Sequence, residues 1–163
     1  MPLITTTTVK TVTTTTTANG STTITKTVVT QTPVIDTNQE FQSFRAPVRP
    51  IQEGNGWDFH VYYSNELGQR EFIDGLWARA KKEFPTVEIE EVTAKPRGPH
   101  TLPMFKAIVN TPAEFGAFLS WIATNRGDLS VLVHPLTGND LVDHTTHAVW
   151  CGEKVPLKLE VLH

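Results

Sequence analysis

The sequence predicts an α+β fold built on one antiparallel sheet, and three observations predict it. Two stretches carry a helical apolar period, and short segments around them alternate apolar and polar residues. Their order along the chain is strand, helix, strand, strand, helix, strand, followed by a further strand or two. Mixed apolar, aromatic and charged sequence begins only near Phe44, which sets the folded domain at 45–163. Such an order is the split βαβ pattern of ferredoxin-like folds, with both helices on one face of the sheet and here a C-terminal strand extension. Right-handed crossovers favour the spatial order 4-1-3-2, and strands one and three are expected to run parallel at its centre.

Residues 1–44, ahead of that domain, read differently. Threonine fills seventeen of the first forty positions, with runs at 5–8 and 13–17, and no helical period is present. So little apolar surface does not offset the entropy of ordering the segment, and a disordered extension is expected. Threonine's β-propensity leaves room for a piece such as Thr22–Thr30 to pair at a sheet edge. Two lysines and no arginine before Arg45 make a poor targeting leader.

The elements of the domain follow in order. Trp57–Tyr63 (WDFHVYY) alternates and is rich in β-formers, so Trp57, Phe59, Val61 and Tyr63 should face the core and Asp58, His60 and Tyr62 the other side. Ile73, Leu76, Trp77, Ala80 and Phe84 form the apolar stripe of a helix that Pro85 ends. Thr86–Val92 (TVEIEEV) reads as an edge strand and Met104–Val109 (MFKAIV) as a third strand. The second helix carries Thr111 as its N-cap, Pro112 at its first position, Glu114 to complete a capping box and Gly127 as its stop. Leu129–Val133 is the expected fourth strand. Ala148–Cys151 and Leu157–Leu162 are expected to close as a hairpin across Gly152–Pro156.

Composition excludes several function classes. A formal charge of −3 provides no electrostatic footprint for nucleic acid or an anionic membrane. No apolar stretch approaches the roughly 18–20 residues of a membrane span. The single cysteine, Cys151, rules out an intramolecular disulfide and Cys-rich zinc modules, and suits a reducing cytosol. Phosphate-binding glycine loops and nucleophile elbows are absent from the sequence.

What remains is histidine. Val131–Trp150 (VLVHPLTGNDLVDHTTHAVW) holds His134, His144 and His147 with Asp140 and Asp143. In the expected topology the starts of strands one and three and the end of strand four share one edge, which brings His60, His100 and His134 together. Neutral imidazoles are common ligands of transition metals, and two or three of them with open positions suit redox-active Fe(II).

At these residues the sequence resembles a known family. WDFHVYY, RGPHTLPMF and LSVLVHPLTGNDLVDHTTHAVWCGE are together similar to the DOPA 4,5-dioxygenase family, over about Asp58 to Leu162. The resemblance implies a small dimeric ferredoxin-like protein with one non-haem Fe(II), which opens a catechol such as L-DOPA with O₂ by extradiol cleavage. It places the family's histidines on His60, His100 and His134 as metal ligands. His144 takes the fourth position and is expected as a catalytic acid–base, in what reads as a mobile loop. His147 matches no motif. The carboxylate of the common iron triad has three candidates, Asp58, Asp143 and Glu160, and an all-histidine set is the alternative. Arg97 is a candidate for a substrate carboxylate.

The expected partners are therefore a small catechol and O₂, in a cytoplasmic homodimer. Two other readings stand beside this one: a non-catalytic ferredoxin-like module binding a small aromatic ligand or a partner, and a hydrolase in which the histidines hold zinc.

Overall fold

A computed structural model of the 163-residue chain describes residues 7–16, 22–31, 43–46, 48 and 56–162. The chain divides into two compact units, Met1–Glu40 and Phe41–His163. In the first, β1 (Thr7–Thr16) and β2 (Thr22–Gln31) pair antiparallel, Thr7 opposite Gln31 and Thr16 opposite Thr22. This ribbon stands where a disordered extension was expected. Threonine's β-branching stiffens χ1 and suits extended backbone, so a threonine-rich segment can pair with itself. Residues 1–6, 17–21 and 32–42 of the expected extension lie outside the described residues.

The second unit carries β3 (Trp57–Tyr62), α1 (Gln69–Glu83), β4 (Glu88–Ile89), β5 (Met104–Val109), α2 (Pro112–Asn125), β6 (Val131–Pro135), α3 (Asp140–His144), β7 (Val149–Cys151) and a 3₁₀ turn at Leu159–Val161. Its sheet has the order β4-β5-β3-β6-β7, the expected 4-1-3-2 with β7 added beside β6. Every neighbouring pair is antiparallel, so the parallel pairing expected at the centre is corrected. The strands that α1 joins are β3 and β4, and β5 is inserted between them; that insertion is what the split pattern means.

The core follows from the period of each element. Phe59, Val61 and Tyr63 with Phe105, Ala107, Val109, Val131 and Val133 line one face of the sheet, against Ile73, Leu76 and Ala80 of α1 and Phe118 and Ile122 of α2. Alternation sends the intervening residues to the opposite face, where Tyr62, Met104, Leu132 and Val155 form a second, smaller apolar cluster. The capping signals hold for α2: Thr111 Oγ1 accepts from the Glu114 N–H at 3.1 Å, and the Glu114 carboxylate accepts from the Asn110 N–H at 2.9 Å. Gly127 takes the left-handed φ of 56° after the helix.

Two elements differ from expectation. The edge strand TVEIEEV is regular only over Glu88–Ile89. Beyond it the Glu90 and Thr93 N–H groups still donate to Lys106 and Met104, but the Glu90 carbonyl turns to accept from Trp77 Nε1 at 2.9 Å. The C-terminal hairpin does not form. Pro156 has no N–H to offer β7, and Leu157 instead bridges His100 antiparallel, with the Lys158 N–H donating to Pro99 O at 2.8 Å and Thr101 Oγ1 to Pro156 O at 2.7 Å.

Gly56, at the entry to β3, has no room for a side chain, because a Cβ there would run into the Val109 carbonyl. Backbone cannot yield as a flexible side chain does. Gly56→Ala should therefore destabilise the domain by about 1–3 kcal/mol or more, the scale of overpacking, read as a lower midpoint in denaturant unfolding. An unchanged midpoint would contradict this packing.

Candidate metal centre

The second face of the sheet is where the histidines meet. Alternation along β3 puts His60 on it, two residues from Tyr62, and alternation along β6 does the same for His134. His60 lies opposite Leu132 on one side and Lys106 on the other, while Asp58 lies opposite His134. His100 arrives by a different route from the one expected. Since β5 runs antiparallel to β3, Met104 at its start pairs with Tyr62 at the end of β3. The loop before β5 then folds over the face, held by the His100–Leu157 bridge. His144 comes from α3, whose N-cap Asn139 accepts from the Val142 N–H at 3.1 Å. The loop expected to be mobile is a short helix, and His144 is 9% exposed at its end.

All four imidazoles are buried. Ring centroids of His60 and His100 are 4.1 Å apart, those of His134 and His144 4.0 Å, and those of His60 and His134 5.1 Å. Two groups of donor atoms lie within 4.8 Å of one another: His60 with His100 and His144, and Asp58 with His60 and His134. His60 belongs to both.

The hydrogen bonds fix most of the tautomers. His134 Nδ1 lies 3.0 Å from the Pro135 carbonyl and His144 Nδ1 2.8 Å from the Asp140 carbonyl. A carbonyl only accepts, so both Nδ1 atoms carry the proton and both Nε2 atoms keep a lone pair. His60 Nε2, 3.0 Å from His134 Nε2, must then donate, which leaves His60 Nδ1 bare and buried without a partner. His100 Nδ1 meets the Tyr62 hydroxyl at 2.6 Å.

Burial dominates the electrostatics. It holds His60 well below the ordinary imidazole pKa, helped by the neighbouring histidines. Burial, with His144 and His134 nearby, brings His100 down to about 3. Burial and His144 bring His134 down to about 4, the Pro135 hydrogen bond opposing. These rings are neutral at pH 7. Beside them runs a chain of charges across β3, β5 and the edge. Asp58 Oδ2 lies 3.4 Å from Lys106 Nζ, Lys106 lies 3.0 Å from Glu90, and Glu90 accepts from Arg97 at 2.6 Å. Burial raises Asp58 despite Lys106, and its Oδ1 has no hydrogen-bond partner.

The three carboxylate candidates now separate. Asp58 is 5% exposed and shares a donor group with His60 and His134. Asp143 is buried too, but it accepts from the Thr137 N–H at 2.8 Å, the Thr137 hydroxyl at 2.7 Å and His147 Nδ1 at 3.0 Å. Burial would raise its pKa, and these donors hold it below the ordinary value instead. Glu160 stands exposed on the 3₁₀ turn. Arg97 is occupied by Glu90. Sequence reasoning put Tyr62 on this face without a part in the metal site, and passed over Lys106. The signal for Lys106 was a lone charge in an apolar strand.

The donor set fits a divalent transition metal. Neutral imidazoles with Nε2 lone pairs are ready ligands. The 3.0 Å between His60 and His134 Nε2 is also the spacing of two nitrogens that bind one ion at about 2.1 Å and a right angle. The orphaned His60 Nδ1 and Asp58 Oδ1 are what a site shaped for a cation leaves behind.

In metal-free protein the site makes stability fall with pH. Below about pH 6.5 the unfolded chain takes up protons that folded His60, His100 and His134 refuse until far lower pH. Asp58, raised by burial, works the other way, but it is one group against three. Melting in the presence of a chelator should occur several degrees lower at pH 5 than at pH 7.5. A melting temperature at pH 5 equal to or above that at pH 7.5 would show that the rings are not held neutral.

Comparison with known proteins places the domain in a family. A sequence model of the Dopa 4,5-dioxygenase family matches residues 57–161. An uncharacterized 21.2 kDa protein of Botryotinia fuckeliana is 36% identical over 137 residues, which cover 78% of this chain and 75% of that protein. A DOPA 4,5-dioxygenase of Amanita muscaria is 36% identical over 110 residues, 63% of this chain and 47% of the Amanita protein, so the match spans about half its length. Among solved structures, a candidate dioxygenase from Nostoc punctiforme superposes with a TM-score of 0.56 at 29% identity, covering 66% of this chain and 90% of that one. The matched region holds the sheet, both long helices and all four clustered histidines, and the chain belongs to the Dopa 4,5-dioxygenase family.

Proposed function

We propose that this chain is a non-haem Fe(II)-dependent extradiol dioxygenase that opens the ring of a catechol such as L-DOPA with O₂. The observation that carries the reading is the meeting of four buried imidazoles on one face of the sheet, two of them with Nδ1 tied to a carbonyl and a lone pair on Nε2. Family membership supports it. His60, His100 and His134 are the residues proposed to hold the metal. When bound, Fe(II) supplies the redox chemistry by which O₂ reacts with an electron-rich ring.

The rest is work for the protein's own groups. A catechol must lose a hydroxyl proton before its ring is electron-rich enough to react. That step is assigned to His144, and the reading is supported by its Nδ1–H, anchored on the Asp140 carbonyl, which leaves Nε2 to accept a proton. Lys106, across the β3–β5 pair from His60, sets a fixed cation beside the place where negative charge would develop. The loop carrying His100 and the segment around Val155 cover the face and exclude water, which strengthens both effects. A homodimer in a reducing compartment completes the reading, supported by the family resemblance and the lone cysteine.

The test is direct. Purified protein loaded anaerobically with Fe(II), mixed with L-DOPA and then exposed to air should consume oxygen and form a yellow ring-opened product. His60→Ala and His134→Ala should bring both signals to background. Absence of uptake and colour with every catechol tried would overturn the proposal. Deleting residues 1–40 should leave turnover unchanged, since every proposed site residue lies in the second unit. A drop on deletion would give the threonine-rich segment a part in catalysis.

A further inference from the structure

Three of the clustered histidines have their tautomers set by the argument above, and the fourth does not. His134 and His144 are tied to carbonyls, which accept only, and His60 is fixed in turn by His134. The partner of His100 is the Tyr62 hydroxyl, at 2.6 Å from Nδ1, and a hydroxyl can donate or accept. If Tyr62 donates, Nδ1 is the bare nitrogen and Nε2 carries a proton. If Tyr62 accepts, Nδ1 carries the proton and Nε2 has a lone pair. A free histidine side chain favours the first form, so without help His100 would present N–H where a ligand is needed.

The surroundings of Tyr62 make it more than a chance neighbour. It is 1% exposed and packed with Met104, Leu132 and Val155, with Trp150 stacked at 5.9 Å and 21°. Its backbone is locked in the middle of the sheet, where the N–H donates to Ser130 O at 2.9 Å. The ring cannot swing away. His100, by contrast, sits on a loop held by backbone contacts with Leu157 and Lys158, which fix its Cα and not its ring.

We propose that Tyr62 is a positioning residue for His100, whose hydroxyl accepts the Nδ1–H, holds the imidazole plane and so keeps the Nε2 lone pair turned to the site. This rests on the proposed metal-binding function and adds to it the group that readies one ligand. Residues that orient ligand imidazoles in this way typically contribute 10- to 100-fold in metal affinity or activity.

The test uses the full-length chain free of metal, with imidazole ¹⁵N shifts reporting the tautomer of each histidine. His100 should be protonated on Nδ1 in the native protein and shift toward protonation on Nε2 in Tyr62→Phe, while His134 and His144 stay as they are. Co(II) titrated into the two proteins and followed by visible absorption should bind Tyr62→Phe roughly 10- to 100-fold more weakly. Trp150→Leu removes the stacked ring but not the hydroxyl, and should leave the His100 tautomer unchanged. Protonation of His100 on Nε2 in the native protein would overturn the proposal. So would a Tyr62→Phe protein with native tautomer and affinity, or a Trp150→Leu protein that behaves like Tyr62→Phe. A chain inactive on every catechol that still shows the Tyr62-dependent tautomer would sink the dioxygenase reading and leave the pairing standing.

Discussion

His60, His100 and His134 share the interior of one small domain as neutral rings. With ring centroids as close as 4.0 Å, a second proton in the cluster would meet the first at a distance where a low-dielectric interior gives no relief. Burial alone favours the neutral form, and each neighbour adds to that preference. The rest of the face is arranged to suit neutral rings: carbonyls that take one proton each, a phenol, and a separate row of paired charges that keeps Lys106 and Asp58 occupied with one another. A cluster of this kind stores unused lone pairs, and a divalent cation is the ligand that can use several of them at once.

The sheet lets this happen without weakening the core. On one face the aromatic and aliphatic residues of β3, β5 and β6 meet two helices, and most of the apolar burial is there. Among the described residues the other face buries a smaller apolar cluster of four and gives much of its remaining area to the histidines. A two-residue period separates the two tasks along each strand, so a change at His60 or His134 falls between core residues and not among them.

Much of this was readable in the residues. The alternation of WDFHVYY gave the face of His60, and Thr111-Pro112-Ala113-Glu114 gave the start of α2 to the residue. The strand order also followed from element order and handedness. The direction of β5 was misread, and with it the reason His100 reaches the site. Of the three strand ends expected at one edge, the start of β3 and the end of β6 do meet there, and the start of β5 does not; His100 arrives on a loop whose partner, Leu157, lies far along the chain and carries no local mark of that pairing. α3 was missed because its five residues are too few to show a period, although Asn139 is an ordinary N-cap. The Tyr62–His100 contact depends on both of those longer-range placements. Distances between loops are set by tertiary packing, and a one-dimensional pattern does not hold them.

The bridge between His100 and Leu157 has a temporal side. Its two residues are separated by β5, α2, β6, α3 and β7, so closing it early would cost much chain entropy for a single pair of contacts. The bridge becomes favourable once those elements have assembled and the distance is already short. The backbone around His100 is therefore held by tertiary assembly and not by its own loop alone.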